Sequence, residues 1–318
     1  MNLMDDMLNP YYVDIVVFLI IYLLLGLGLN LITGYAGQVS LGHAAFYGIG
    51  AYSSAILSVT YGMNSWASMG IAVVITFVIS AILGLPSLRV REDFLAITTL
   101  GLGLIAQSFF KNAEITGGAY GIDSIPVPSL FGVELKNVGY LVLVVVVLLA
   151  GIFVMQKMTK SRIGRAWMTI REDEMVAQAM GINTTYYKVL VFAIGGAYAG
   201  AAGALFAHKA SYISAESFGF TISVTVLSMV VLGGLGSIRG TLLGVSVLYL
   251  LPELFRLFKL DFMNMQNLDM YKMMIYGLLM VIVMRYHPKG LFGKTAFKKR
   301  KRYSAGKETS IKGGDQVA

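Results

Sequence analysis

Few side chains in this sequence have the types and spacing that catalysis or metal binding requires. The three histidines, His43, His208 and His287, are too widely scattered to predict a metal site, and the apolar runs contain no paired carboxylates. The chain has no cysteine, which excludes disulfides, thiol catalysis and cysteine-ligated metals. We therefore expect no cofactor, and we expect a chain that is not an enzyme.

One short motif resembles part of a nucleotide site. Gly293-Lys294-Thr295 matches the end of a P-loop, in which a glycine-rich backbone and a lysine hold phosphates. The first glycine of that motif would fall at position 288, which is Pro288, and no buried strand precedes it. The match is a coincidence, and nothing else in the sequence predicts that this chain binds or hydrolyses ATP.

The composition is that of a polytopic membrane protein. Of the 318 residues, 57% are hydrophobic and 13% are charged, whereas soluble domains carry about 25% charged residues. Much of the net charge of +8 lies in the basic run at 298–302, after the last apolar run. The positive-inside rule explains this cluster better than nucleic-acid binding does. We expect the chain to lie in membrane lipid and not to bind nucleic acid.

About nine apolar runs are long enough to cross a bilayer, which takes about twenty residues per helix. They lie near 13–33, 40–60, 67–85, 93–111, 138–156, 189–208, 218–235, 241–259 and 269–286. This pattern predicts an all-α integral membrane protein with about nine transmembrane helices, in a range of eight to ten. We assign 1–288 to a transmembrane domain and 289–318 to a flexible, basic tail.

The placement of lysine and arginine predicts the orientation. Basic residues occur at Arg89 and Arg91, in the segment 157–188 and in the tail, and all three regions are cytoplasmic if the acidic N-terminus is outside. The N-terminal residues lack the basic region of a signal peptide, so we expect no cleaved leader.

A hydrophilic segment, residues 157–188, separates the fifth and sixth predicted spans. Thr169 and Glu172 fit a capping box, the acidic residues from Glu172 onwards favour a first turn, and Gly181 suits a C-cap. Asn183 is typical of the N-cap of the following apolar helix. The segment thus predicts a short, charged surface helix. It is either a docking element for a soluble partner or an ordinary cytoplasmic loop.

Two segments place polar residues or closely spaced glycines at membrane depth. Residues 30–48 carry the polar side chains Gln38, Ser40 and His43, and residues 233–244 carry Gly236, Gly240 and Gly244 at GxxxG spacing. Irregular backbone in a bilayer is tolerated where protein or a water-filled cavity covers it, and broken helices often line transport pathways. Close packing is the simpler explanation of the glycine repeat. For the polar set, packing and a pathway both stay open.

Two weaker patterns concern packing and internal symmetry. A third glycine set, Gly196, Gly200 and Gly203, is most simply a packing face. Residues 94–103 and 220–234 each form an apolar segment that carries threonine and serine. Their similarity is weak, and it leaves an internal repeat and a chance likeness both open.

Four longer motifs follow one another along the chain. They are NLITGYAGQVSLGHAAFYGIGAY, SRIGRAWMTIREDEMVAQAMGIN, VLGGLGSIRGTLLG and YGLLMVIVMRYHPKGLFG. Together they resemble the branched-chain amino-acid ABC-transporter permeases of the LivH/LivM family, specifically the LivM type. The resemblance extends from about residue 26 to residue 293. The positions that match the core of the family's ATPase-coupling segment are Arg165, Glu172, Asp173, Ala177 and Gly181.

The resemblance implies a multi-pass permease subunit in a bacterial inner membrane, importing branched-chain or related hydrophobic amino acids. It implies a homologous second permease, two cytoplasmic ATPases that drive transport, and a periplasmic substrate-binding protein. The N-terminus would be periplasmic and the C-terminus cytoplasmic, with 157–188 as the coupling segment. The resemblance does not identify the pathway, for which we take as candidates Gln38, Ser40, His43, Gly117, Gly118, Gly236 and Ser237.

Two alternatives stay open on the sequence. Related permeases carry urea, short-chain amides or other amino acids, and the binding protein sets much of that choice. An ion-coupled secondary transporter would need carboxylates or other ion-coordinating residues within the membrane. The sequence places none convincingly, so that alternative is the weaker one.

Overall fold

The computed structural model describes residues 10–87, 92–130 and 133–257, together with Gly277 and Arg285. Within this part the helices are α1 (Pro10–Leu29), α2 (His43–Val59), α3 (Ser65–Ser87), α4 (Glu92–Asn112), α5 (Val138–Lys160), α6 (Arg162–Glu172), α7 (Glu174–Ala179), α8 (Thr184–Ala210), α9 (Phe220–Gly233) and α10 (Ile238–Leu257). The predicted span at 269–286, apart from those two isolated residues, and the tail at 289–318 lie outside the described residues.

Short elements connect the helices. α1 continues into a π-helix, Asn30–Tyr35, and 3₁₀ turns occupy Glu114–Thr116, Gly118–Tyr120 and Ala215–Phe218. Strands β1 (Ser129–Leu130) and β2 (Val133–Glu134) form a two-residue antiparallel hairpin, with Ser129 opposite Glu134. The prediction of a helical membrane protein is confirmed, and this hairpin is a minor departure from an all-α chain.

Six helical segments of the described chain are long and apolar enough to cross a membrane. They are Pro10–Tyr35, Ser65–Leu85, Phe94–Asn112, Val138–Lys160, Thr184–Ala210 and Ala215–Gly233. The runs predicted at 40–60 and 241–259 also form helices, α2 and α10, but neither is among the six. The count of nine spans is therefore not confirmed. α2 is short, at 17 residues, because the polar residues before His43 are not helical.

The centre of the fold is α8, which packs against α1, α2 and α3. Its glycines permit these close approaches. A Cβ at Gly200 would lie 2.6 Å from Thr76 of α3, and one at Gly203 would collide with the carbonyl of Tyr47 in α2. Gly196 likewise faces Ser80 of α3. The prediction that these three glycines form a packing face is confirmed.

The GxxxG segment makes a second close contact, between α9 and α10. A Cβ at Gly240 would collide with the Gly233 carbonyl, and one at Gly244 with the Met229 carbonyl. Close packing thus accounts for Gly240 and Gly244. Gly236 differs, because it lies in the turn between the two helices with a φ of +79°, a left-handed conformation that favours glycine.

The segment between α4 and α5 is fastened to the helices by hydrogen bonds. His208 of α8 donates through Nδ1 to the Pro126 carbonyl at 2.7 Å, because a carbonyl can only accept. Its Nε2 is then an acceptor and lies 2.8 Å from the hydroxyl of Ser54 and 3.3 Å from that of Ser68. Ile122 forms a β-bridge with Ile213. The loop and three helices are thereby held in one arrangement.

Candidate functional site

Helical structure is interrupted between α1 and α2, and we call this interruption the break. After the π-helix Asn30–Tyr35, residues 36–42 leave helical geometry, and α2 begins at His43. Nε2 of His43 lies 3.1 Å from the carbonyl oxygen of Leu25, which precedes the end of the π-helix by ten residues or about 15 Å of helix. The segment 36–42, which we call the re-entrant segment, therefore runs back along α1. The prediction that this region is no simple span is confirmed.

Side chains from two other helices satisfy the backbone of this break. The Leu41 amide donates to Oγ1 of Thr99 in α4 at 3.0 Å, and the Ala44 amide donates to Oγ of Ser223 in α9 at 2.9 Å. Non-helical backbone at membrane depth requires such partners, because lipid offers none. Thr99 and Ser223 belong to the two weakly similar segments of the sequence, and they support the same turn from different helices.

Four side chains at the break each bury a polar atom that has no hydrogen-bond partner in the described part of the protein. These atoms are Nδ2 of Asn30, Oε1 of Gln38, Oγ of Ser40 and Nδ1 of His43. A buried polar atom left unpaired costs about 1–3 kcal/mol. Packing alone does not explain a cluster with that cost. The arrangement favours a site that exchanges hydrogen bonds with a polar molecule.

The remaining pathway candidates divide into two places. Gly236 lies at the break, where its amide donates to Oδ1 of Asn30 at 2.8 Å, and the neighbouring Ser237 accepts from the Gly240 amide at 3.2 Å. Gly117 and Gly118 instead follow α4, with left-handed φ angles of +74° and +58°. Their positions face Gly121 and Lys111 rather than the break. The left-handed backbone accounts for glycine at both positions, and a Cβ at Gly117 would also collide with the Gly121 carbonyl.

The segment 157–188 forms two helices where one was predicted. α6 is capped by Ser161, whose Oγ accepts from the Ile163 amide, and α7 is capped by Asp173, whose Oδ1 accepts from the Val176 amide at 3.1 Å. The predicted capping box at Thr169 and Glu172 is wrong. Thr169 lies inside α6, where its hydroxyl donates to the Arg165 carbonyl at 3.0 Å. The extended backbone of Asp173 separates the helices.

Two local predictions for this segment are confirmed. Gly181 follows α7 with a φ of +79°, as expected of a glycine that ends a helix. Asn183 is the N-cap of α8, and its Oδ1 accepts from the Tyr186 amide at 3.0 Å. Both features depend on neighbours within three residues, which is why the sequence alone reveals them.

Three contacts fasten α6 and α7 to the first turns of α8. The indole of Trp167 is fully buried and donates to the Tyr187 carbonyl at 2.9 Å. Nζ of Lys188 pairs with Glu174 at 2.5 Å, and Gln178 donates to the hydroxyl of Thr184 at 3.2 Å. The short helices are therefore held by α8 on their inner side. Ala177, with no exposed surface, belongs to that inner side.

The outer side of α7 and its C-cap residue, Met180, present large apolar side chains. Met175 is 79% exposed, Met180 is 70% exposed and Val176 is 49% exposed. We call these three residues the methionine face. Glu172 and Asp173, at the α6–α7 junction, are also exposed. Exposed apolar clusters rimmed by polar residues mark interaction sites, and methionine adapts well to a partner surface. Sequence reasoning missed Met175 and Met180, although both stand within a hydrophilic segment.

A single arginine connects this segment to the broken helix. The guanidinium of Arg171, in the last turn of α6, donates to the carbonyl oxygen of Gly34 in the π-helix. The family resemblance marks a different arginine of α6, Arg165, for ATPase coupling, and its guanidinium donates to the Lys160 carbonyl of the preceding helix at 3.3 Å. No local pattern distinguishes the two arginines, because the partner of Arg171 is 137 positions away.

Comparisons of the sequence with a family model and with known relatives identify the same family. Residues 11–284 match the family described as "Branched-chain amino acid transport system / permease component". The chain is 38% identical to the high-affinity branched-chain amino acid transport system permease protein LivM of Escherichia coli, and equally to LivM of Salmonella typhimurium. Each alignment spans 309 residues, or 89% of this chain and 70% of the relative. LivH of S. typhimurium is 25% identical over 305 residues, covering 87% of this chain and 93% of LivH. No solved structure matches.

Proposed function

Since the chain belongs to the family of branched-chain amino acid transport permeases, we propose that it is a membrane subunit of an ABC importer for branched-chain amino acids. The observation that carries this proposal is the 38% identity to two LivM proteins over most of the chain. Similarity to LivH as well as LivM supports a pathway formed with a second, homologous permease.

The methionine face supports docking of a cytoplasmic ATPase on α7. α6 is fixed from inside by Trp167 and α7 by Lys188, so a partner could push the segment without detaching it. Its outward side chains resemble those of helices that seat in an apolar groove of another protein. Glu172 and Asp173 would lie at the edge of the contact, and Arg165, also exposed on α6, would add a positive charge nearby. Gly181 would determine the direction in which the chain leaves α7.

The break between α1 and α2 supports a substrate pathway. An amino acid carries two charged groups, and both need hydrogen-bond partners wherever water is excluded. Gln38 and Ser40 in the re-entrant segment, and His43 directly after it, offer buried atoms without a partner in the described part of the protein. ATP-driven movement of the two permeases would open this region alternately to each side of the membrane.

The orientation follows from charge and is part of the proposal. Basic residues at Lys157, Lys160 and Arg162 lie at the junction of α5 and α6. The positive-inside rule then assigns α6 and α7 to the cytoplasm, and the N-terminus and residues 113–137 to the periplasmic side. A periplasmic binding protein would deliver substrate to that side of a bacterial inner membrane.

Transport by the complete complex tests the function. The chain is co-expressed with its second permease, ATPases and binding protein, and uptake of radiolabelled leucine is measured in proteoliposomes. We expect uptake that requires ATP, stops with an ATPase variant unable to hydrolyse it, and is reduced by excess isoleucine and valine. Uptake driven by an ion gradient without ATP would contradict the proposal. Inhibition by urea or acetamide, but not by isoleucine, would contradict the substrate.

A further inference from the structure

Arg171 lies where three parts of the protein meet. Its guanidinium donates to the Gly34 carbonyl, its aliphatic stem lies against Gly37, and Gly236 of the α9–α10 turn lies beside Nη1. A Cβ at Gly37 would be 2.8 Å from Cγ of Arg171, and a Cβ at Gly236 would be 2.8 Å from its Nη1. Only glycine allows the arginine to approach the backbone this closely at both positions.

The carbonyl that Arg171 binds belongs to a π-helix. In a π-helix each amide bonds one residue further back than in an α-helix, so the turn is wider and less regular. The Ala36 amide accordingly donates to the Leu31 carbonyl, five residues back, and the Gln38 amide reaches six residues back to the Ile32 carbonyl at 3.1 Å as the chain leaves the helix. The position of this turn sets where the re-entrant segment begins. A charged donor on its carbonyl therefore positions the polar residues that follow.

The α9–α10 turn is tied to the same π-helix from another side. The Gly236 amide donates to Oδ1 of Asn30, the first residue of that helix, at 2.8 Å. The π-helix is thus held at Asn30 by Gly236 and at Gly34 by Arg171. The first contact belongs to the membrane helices, and the second belongs to the cytoplasmic segment. Movement of α6 relative to the membrane helices would pull on Gly34 while Asn30 stays fixed.

We propose that Arg171 is a positioning residue that transmits movement of the docked α6–α7 segment to the re-entrant segment through the Gly34 carbonyl. This inference rests on the proposed function, because it assumes that the segment docks the ATPase. It adds that docking and transmission are performed by different residues. The methionine face contacts the partner, whereas Arg171, exposed but bound through its guanidinium to the Gly34 carbonyl, has no role in holding it.

The first test separates docking from transmission. In the complete complex, Arg171→Ala should keep ATPase co-purification within about twofold of the wild type. It should lower leucine uptake per ATP hydrolysed by about tenfold or more, the loss expected from removing a charge-assisted hydrogen bond. Arg171→Lys retains a donor and should recover part of the uptake. Arg162→Ala is the matched control, nine residues earlier on the opposite face of α6, and should behave as the wild type.

Three results would each overturn the inference. Wild-type uptake per ATP in Arg171→Ala would show that the contact transmits nothing. Loss of ATPase co-purification in that variant would make Arg171 a docking residue and leave the proposed function standing. Docking abolished equally by Arg171→Ala and Arg162→Ala would mean that charge alone holds the partner. Failure of leucine uptake in the wild-type complex would instead refute the proposed function.

A reversible crosslink gives a test that does not depend on comparing two folded variants. The chain has no native cysteine, and a Cβ at Gly37 would lie 3.3 Å from Cβ of Arg171, close to the roughly 3.5–4.5 Å of a disulfide. In Gly37→Cys/Arg171→Cys the disulfide replaces the hydrogen bond as a covalent link. Uptake per ATP should be higher in the oxidised protein and should fall on reduction. Equal uptake in both states, with the disulfide formed, would overturn the inference.

Discussion

The ammonium group of Lys188, in the first turns of α8, lies 2.5 Å from a carboxylate oxygen of Glu174, the first residue of α7. Only 10% of the lysine side chain and 30% of the glutamate side chain are exposed. The pair therefore joins α7 to α8, the central helix of the fold, in a partly desolvated place. If the α6–α7 segment transmits movement, this ion pair is one of the contacts that attach it to α8.

Breaking that pair should loosen α7. Lys188→Met leaves Glu174 without its partner, and we expect α7 to be destabilised by about 1–3 kcal/mol, as for a lost hydrogen bond to a charged group. Protease cleavage within α6–α7 should become faster, while cleavage elsewhere stays unchanged. Lys136→Met is the matched control, because Lys136 and Glu134 form a pair whose side chains are 69% and 58% exposed. Exposed pairs contribute little. Equal effects of both variants would contradict the assignment.

Gly181 should tolerate substitution according to backbone preference, not size. A Cβ there would meet nothing within 4 Å, so only the left-handed φ of +79° opposes a side chain. Gly181→Val should cost about 1–2 kcal/mol and distort the exit of α7. We expect weaker ATPase co-purification and less substrate-stimulated hydrolysis. Gly181→Asn, which tolerates this conformation, should stay near the wild type. A change in which amino acid is carried would instead point to a role in recognition.

The methionine face should carry much of the ATPase affinity. Met175→Glu with Met180→Glu places two charges where we expect an apolar groove on the partner. Burying unpaired charge is costly, so co-purification of the ATPase should fall by at least about tenfold. Tyr120→Glu, at a residue 90% exposed in the segment between α4 and α5, should leave ATPase co-purification unchanged. Retained association in the double variant would place docking elsewhere.

The hydroxyl of Ser54 should contribute more to the stability of the fold than that of Ser58, one turn later in α2. Both are buried, but Ser54 contacts His208 across the fold at 2.8 Å, whereas Ser58 donates only to carbonyls of its own helix. Ser54→Ala should lower the free energy of unfolding by about 1–3 kcal/mol, and Ser58→Ala by less than about 1 kcal/mol. Thermal unfolding of the purified protein in detergent measures both. The reverse order would contradict a stabilising contact between Ser54 and His208.

The predicted orientation can be tested with single cysteines, since the chain contains none. Asn2→Cys should react with a membrane-impermeant maleimide added to intact cells, whereas Gln178→Cys and Ser310→Cys should react only after the membrane is opened. Positions 2 and 310 lie outside the described residues, but Gln178 is on α7 and exposed. Labelling of position 178 from the periplasmic side would show that the predicted orientation is wrong.

The sequence by itself determined the class of protein, most helix positions and some of their ends. Apolar runs specify membrane helices because lipid contains no hydrogen-bond partner for free backbone. Asn183 and Gly181 were recognisable because caps and left-handed turns involve groups within a few residues of each other. The motifs also sufficed for the family. Signals of this kind are local or cumulative, so they do not depend on the packing of distant helices.

The tertiary structure decided which residues of those motifs work together. Ala177 and Met175 stand two residues apart in one short helix, yet only the packing of α7 on α8 shows that one is buried and the other 79% exposed. Arg171 was indistinguishable from Arg165 until the fold brought it to Gly34, 137 positions away. Thr99 and Ser223 likewise gain a role only where two separate helices meet the turn at Leu41 and Ala44. Such contacts depend on how helices far apart in sequence pack, and no local pattern records that.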